Sequence, residues 1–168
     1  VQRSDASRRA LDSALDELAD LVADQPLGFV HRDYQSRNLM VISPVEALDP
    51  RSPQNTPIEL AILDFQDALL GPRAYDLVSL VRDSYQDLEE DFVETVLDTY
   101  ATARGFDATI RASLRQELDV LTVQRKLKDA GRFIFIDKRK NDPSFLPYYA
   151  PSLSRVRAAL GRLSGHDL

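Results

Sequence analysis

Residues 29–42, FVHRDYQSRNLMVI, crowd His31, Arg32, Asp33, Arg37 and Asn38 between two apolar runs. A chain reversal needs far fewer polar groups, since one or two Gly, Pro, Asn or Asp residues suffice. The flanking runs, residues 29–31 and 39–42, read as short strands. A polar loop between two strands therefore calls for a reason beyond turning the chain.

The sequence on either side gives the loop its setting. Ser4 or Asp5 is placed to cap a helix whose Leu11, Leu15, Leu18 and Val22 recur at spacings of four, three and four, the pattern of one buried face. Pro26 and Gly28 mark its end. Residues 59–63 read as a third strand, and residues 43–57, SPVEALDPRSPQNTP, carry four prolines and read as an insertion within a hairpin. After DFQDALLGPRAYD the pattern turns helical for the rest of the chain. Leu77, Leu80 and Val81 share one face, Phe92, Val96 and Leu97 another, with Gly105 as C-cap. Ile110, Leu114, Leu118 and Leu121 begin a helix that continues in a basic register over residues 123–136. NDPSFLPYYAP interrupts it before a last helix with Leu153, Val156, Leu160 and Leu163.

Composition narrows the function classes. With 168 residues, 43% of them hydrophobic, the chain is long enough for one domain with a real core. A net charge of −6 with both signs interspersed argues against a general nucleic-acid or anionic-membrane surface, so an anionic ligand must be held locally. The absence of cysteine excludes disulfides and thiolate metal sites and fits a cytoplasmic protein. No apolar run approaches the roughly 20 residues of a membrane-spanning helix, and the N-terminus lacks signal-peptide order. The chain begins at Val1 with helix signals almost at once, the expectation for a piece of a longer protein.

Asp33 and Asn38 lie five apart on the opening loop, and Asp64 ends the third strand in AILDFQD. If the second and third strands pair as a hairpin, Asn38 and Asp64 meet at one end whatever the length of the insertion. A carboxylate and an amide oxygen are hard ligands suited to Mg²⁺, which takes few protein ligands and completes its shell with water and phosphate oxygens. Asp33, just outside that pair, is positioned to accept a proton from a hydroxyl. Phosphoryl transfer needs these parts, a positioned base and a metal on the phosphates.

HRDYQSRN resembles the HxDxxxxN catalytic loop of the protein-kinase-like superfamily, and DFQ stands where that superfamily has its metal-binding DFG. HRD with SRNLM, followed by ILDFQDALLGPRAYDLVSLVRDSY, is similar to the aminoglycoside phosphotransferase branch, and within it to bacterial anomeric kinases of N-acetylmuramate and N-acetylglucosamine. QRKLKDAGRF is similar to a segment of those enzymes too. The resemblance runs from the first helix to about residue 133 and is tightest over residues 30–85.

It implies an α+β fold, predominantly helical, of the protein-kinase-like C-terminal lobe, with short β-hairpins carrying the catalytic and metal loops. It implies Asp33 as catalytic base, Asn38 and Asp64 as Mg²⁺ ligands, His31 as packing and hydrogen-bonding support, and Asp76 as the structural aspartate that holds the catalytic loop. ATP is the implied co-substrate and a small-molecule hydroxyl the acceptor, an amino sugar's anomeric hydroxyl first, with an aminoglycoside, choline or another amino alcohol as the alternative. A non-catalytic, pseudokinase-like binding module is the rival of another class.

The departures matter as well. Gln35 replaces the Lys that protein kinases often carry two residues after the catalytic Asp, which leaves Arg37 as the candidate to neutralise phosphate. Nothing before His31 resembles a glycine-rich phosphate loop or a strand with a phosphate-pairing Lys. The expectation is a C-terminal lobe over residues 1–168, inactive without its N-terminal partner lobe.

Four further residues are acceptor-site candidates. Arg82 and Asp83 either face the acceptor or sit on a solvated helix face. Asp67 either hydrogen-bonds substrate or serves a turn. Arg125 gains from the resemblance, whereas the rest of the run Lys126, Lys128, Arg132, Lys138, Arg139 and Lys140 reads as an exposed helix surface.

Overall fold

The computed structural model describes residues 4–43, 51 and 58–165; most of the proline-rich stretch 43–57 lies outside them. Its elements are α1 (Asp5–Ala23), β1 (Leu27–Val30), β2 (Leu39–Val41), β3 (Leu60–Ile62), β4 (Leu69–Pro72), α2 (Tyr75–Val81), α3 (Glu90–Ala103), α4 (Ala108–Lys140) and α5 (Tyr149–Leu163). Mostly helical α+β is the observed class, with two small antiparallel sheets.

The strands nest. β1 pairs with β4 and β2 pairs with β3, so the outer ladder Leu27↔Pro72 to Val30↔Leu69 encloses the inner ladder Leu39↔Ile62 to Val41↔Leu60. Residues 31–38 and 63–68 therefore each connect the same two ladders, and nesting forces the two loops side by side. β2 and β3 pair as the sequence predicts. β4 was not expected, because LLGP is short and contains both Gly and Pro, the residues that ordinarily argue against a strand.

Gly28 belongs to β1 instead of ending α1, which stops at Ala23 with Asp24 as its C-cap. It lies opposite Gly71. A Cβ on Gly71 would stand 2.9 Å from Val30 Cγ2, so the β1–β4 ladder packs over the buried Val30 only because that position has no side chain.

Helices form the body. Val78, Val81, Val93, Leu97, Leu114, Leu118 and Leu121 from α2, α3 and α4 make one buried cluster. On α3 the inward stripe is Val93, Leu97 and Ala101 at spacing four, while Phe92 is exposed, so the expected face is turned by one residue. Gly105, at φ +67°, ends α3 as predicted, and Phe106 N–H reaches back to Ala101 O.

A second cluster joins Val120 and Val123 of α4 to Val156, Ala159 and Leu163 of α5, with Leu18, Leu21 and Val22 of α1 against it. Only the C-terminal half of the α1 stripe packs. Leu11 and Leu15 are 43% and 44% exposed.

α4 is one helix of 33 residues, where the sequence suggested a change of register. Asp107 caps its start by accepting Ile110 N–H, and Asn141, in the left-handed region at φ 51°, closes it. Lys138, Arg139 and Lys140 occupy its last turn, where cations oppose the helix dipole. None of the helices among the described residues is long and apolar enough to cross a membrane.

Candidate active site

The loop after β1 is held by its backbone. Asp76, in the first turn of α2, accepts the N–H of His31 at 2.6 Å and of Arg32 at 3.0 Å, one to each carboxylate oxygen. Arg32 has φ 75°, a conformation that a side chain disfavours and that the surrounding bonds must hold. Beyond it, Asp33 O accepts both Gln35 N–H and Asn38 Nδ2–H, each at 2.9 Å. Ser36 donates its N–H and its hydroxyl to Asp83 Oδ2, at 3.0 and 2.6 Å. Asp76 is in the first turn of the short helix α2 and Asp83 lies just past its end, so α2 fixes both ends of the loop.

His31 supports the loop differently from the expectation. Its backbone bonds Asp76, but both ring nitrogens are buried without a hydrogen-bond partner among the described residues, and the ring makes an edge contact with Tyr34. Its side chain contributes packing.

The loop after β3 lies alongside. Leu63 N–H donates to Asn38 O at 2.9 Å, and Arg32 Nη1 reaches Asp67 O at 3.5 Å. Asp64 sits at φ 67°, and its Oδ1 accepts Gln66 Nε2–H at 2.8 Å. A left-handed backbone is unusual for any side-chain-bearing residue, although Asp tolerates it better than most.

Asp33, Asn38 and Asp64 line one cleft, together with Gln35 and Asp83. The donor set fits Mg²⁺. Asn38 turns its NH₂ to the Asp33 carbonyl, which leaves Oδ1 as the free acceptor, and the second oxygen of Asp64 is free of protein partners among the described residues. Two hard oxygens are what a magnesium ion takes from protein when phosphates and water supply the rest. No group of three or more His, Cys, Asp or Glu side chains suited to a metal occurs among the described residues.

The remaining candidates divide. Arg125 lines the cleft, donates Nη1–H to Arg32 O at 3.3 Å and lies 5.2 Å over the Tyr75 ring. Asp83 lines it too, with both oxygens occupied by Ser36 and Tyr85 N–H. Arg82 is neither in the cleft nor on a solvated face: it is 4% exposed and pairs with Glu90 at 2.8 Å. Arg37 stacks 3.4 Å over the Tyr85 ring, and Asp67 offers its backbone to Arg32; neither lines the cleft.

In the basic run Lys128, Arg132, Lys138, Arg139 and Lys140 are exposed as expected, and Lys126 is the correction. Lys126 is 1% exposed, its ammonium bound to Ser84 Oγ at 2.8 Å and Asp129 Oδ2 at 3.0 Å. Burial pushes it below the ordinary lysine range, against the pull of Asp129. Lys126, Lys128 and Arg132 line the same cleft as Asp33, as do Phe133 and Phe145, whose rings stack in parallel. The signal was present as helical spacing, since residues 125, 128 and 132 fall at i, i+3 and i+7.

Residues 1–115 match the phosphotransferase enzyme family, APH. Three curated relatives are each named N-acetylmuramate/N-acetylglucosamine kinase. That of Pseudomonas aeruginosa is 37% identical over 140 residues, 78% of this chain and 36% of its own length. The Neisseria meningitidis protein is 32% identical over 154 residues, 89% of this chain and 42% of its own. The Pseudomonas putida protein is 33% identical, covering 95% of this chain and 44% of its own. The chain thus spans less than half the length of the relatives it matches.

Proposed function

Since this chain belongs to the phosphotransferase enzyme family, whose kinases use ATP, we propose that it carries the catalytic lobe of a kinase that phosphorylates an amino sugar, at the anomeric hydroxyl. The observation that carries this reading is the convergence of Asp33, Asn38 and Asp64 on one cleft, with the loop backbone clamped by Asp76.

In this reading Asp33 accepts the hydrogen bond of the acceptor hydroxyl, orients it toward the γ-phosphorus and takes its proton as the oxygen–phosphorus bond forms. Asn38 Oδ1 and Asp64 hold Mg²⁺. When bound, the ion offsets charge on the phosphate oxygens. Arg125, anchored on the carbonyl next to Asp33, keeps its other N–H groups for developing negative charge, a role that Gln35 cannot fill.

The adenine side of the nucleotide falls to a second lobe, for which the additional length of the relatives leaves room. That lobe also gives the outward face of the β1–β4 ladder a neighbour: Phe29 and Leu70, opposite each other, are 77% and 69% exposed. The 168-residue chain by itself is therefore expected to turn over no ATP.

An acceptor panel on full-length protein tests the reading. ATP- and Mg²⁺-dependent phosphorylation of N-acetylmuramate or N-acetylglucosamine is the expected result. Phosphorylation confined to an aminoglycoside or an amino alcohol would move the acceptor assignment. Metal-independent nucleotide binding without any transfer would replace the enzyme by a binding module.

A further inference from the structure

The cleft separates its charges. On the loop side, Asp83 is saturated by Ser36 and Tyr85, so Asp33 and Asp64 are the carboxylates with oxygens free of partners among the described residues. On the α4 side, Asp129 and Ser84 occupy the Lys126 ammonium. Lys128 approaches Asp129 only at 3.8 Å, beyond hydrogen-bond reach, and Arg132 makes no hydrogen bond or ion pair among the described residues. The loops therefore bring free carboxylate oxygens to the cleft, ready for a hydroxyl and a metal, while α4 brings cations in excess. The chain as a whole carries −6, so this local positive excess runs against the overall charge.

We propose that Lys128 and Arg132 are specificity-determining residues: they hold an anionic substituent, a carboxylate, on an acceptor whose hydroxyl faces Asp33. The inference rests on the kinase reading above and adds to it a preference. An acceptor with a hydroxyl at one end and a carboxylate at the other matches both groups, whereas a neutral sugar leaves Arg132 without a partner among the described residues and Lys128 with only the loose pairing to Asp129. Arg132 can grip a carboxylate in bidentate fashion, and Lys128 adds a point charge one helical turn away. N-Acetylmuramate, whose lactyl ether ends in a carboxylate, has that form; N-acetylglucosamine is the same sugar without it. The stacked Phe133 and Phe145 provide an apolar surface beside these cations, suited to the body of a sugar ring.

The test is the ratio of kcat/KM for N-acetylmuramate over N-acetylglucosamine in full-length protein, in wild type, Arg132→Gln, Arg132→Lys, Lys128→Gln/Arg132→Gln and the control Lys138→Gln, which lies outside the cleft. The expected wild-type ratio is about tenfold or more, expressed in KM, falling to near unity in the double variant, partly kept by Arg132→Lys and unmoved by Lys138→Gln. A ratio near unity in wild type, or one that survives the double substitution, overturns the inference and leaves the kinase reading standing. A rise in the KM for ATP shared by both acceptors also overturns it, assigning the α4 cations to nucleotide phosphate. Calorimetric binding of each sugar separates the two claims. Binding of N-acetylmuramate that Arg132→Gln abolishes, without turnover of either sugar, supports the charge preference and removes the kinase reading; neither binding nor turnover overturns both.

Discussion

The Asp76 carboxylate accepts the backbone N–H of His31, 45 residues earlier in the chain, at 2.6 Å, tying the start of α2 to the loop that carries Asp33. Its other oxygen takes Arg32 N–H at 3.0 Å, which helps to hold Arg32 in its left-handed conformation. Both oxygens are used, and both donors are backbone. In Asp76→Asn one of them becomes an NH₂ facing an N–H, so a charge-assisted bond is replaced by a clash of donors. The expected loss is about 2 kcal/mol of stability, and roughly 10²-fold in kcat because Asp33 loses its orientation. Denaturant titration and steady-state kinetics of full-length protein measure the two effects separately.

Lys126 and Asp129 give a second prediction. Breaking a buried pair by removing one partner costs about 3 kcal/mol, so Asp129→Asn is expected to destabilise the fold by that order. The sign with pH follows from the lowered lysine. Burial holds the folded-state value below the ordinary 10.5, so the cost of the buried ammonium is present in full below that lowered value. It shrinks as pH rises from the folded value toward 10.5. Asp129→Asn deepens the depression, and the variant should recover part of its lost stability as pH rises toward 10.5, read by denaturation midpoints on the alkaline side.

Glu90 joins α3 to two other elements. Burial works to raise its carboxyl, but hydrogen bonds from Arg82 and Arg115 outweigh it and bring the pKa down to about 2 from the ordinary 4.5. A depressed carboxylate contributes stability that is present above 4.5 and lost as pH falls through 2. Glu90 is 45% exposed, so solvent screening reduces the contribution to roughly 1 kcal/mol. Glu90→Gln should lower stability at neutral pH by about that amount and flatten the acid limb below 4.5, which acid unfolding curves of the two proteins compare directly.

How far these relationships were legible in the sequence depended on whether a residue acts through local pattern or through distant contact. The loop 31–38, the pairing of β2 with β3, Gly105 and the place of Asp76 follow from spacing, turn chemistry and a recognisable order of residues. β4 does not, because its strand character comes from β1 lying opposite and its Gly is there for Val30. Arg82 and Asp83 are adjacent in sequence but diverge, one toward Glu90 and the other toward Ser36, since neighbours on a helix end point in different directions. The basic run shows the same limit. A string of Lys and Arg reads as solvated until the helix is wound, and winding sends Lys126 into the interior while Lys138 remains 76% exposed.

Gly71 supplies the fourth prediction. A methyl group there meets Val30 Cγ2 at 2.9 Å, and Val30 is 1% exposed, so it has no room to give way. Gly71→Ala is expected to destabilise by about 2 kcal/mol. The strain should act on the β1–β4 ladder and so on the loop that leaves β1. Gly71→Ala/Val30→Ala should recover less than the Gly71 penalty, because it opens a cavity of its own; thermal denaturation of both variants checks this.

The central claim is that Asp33 positions and deprotonates the acceptor hydroxyl. Its side chain makes no hydrogen bond among the described residues, and the loop is held through its carbonyl, so Asp33→Asn should leave the fold intact. The most direct measurement is kcat for ATP-dependent sugar phosphorylation by full-length protein with Asp33→Asn, alongside its denaturation midpoint. The account predicts a fall of about 10³-fold in kcat with the midpoint unchanged. A folded Asp33→Asn enzyme whose kcat stays within about tenfold of wild type would contradict it.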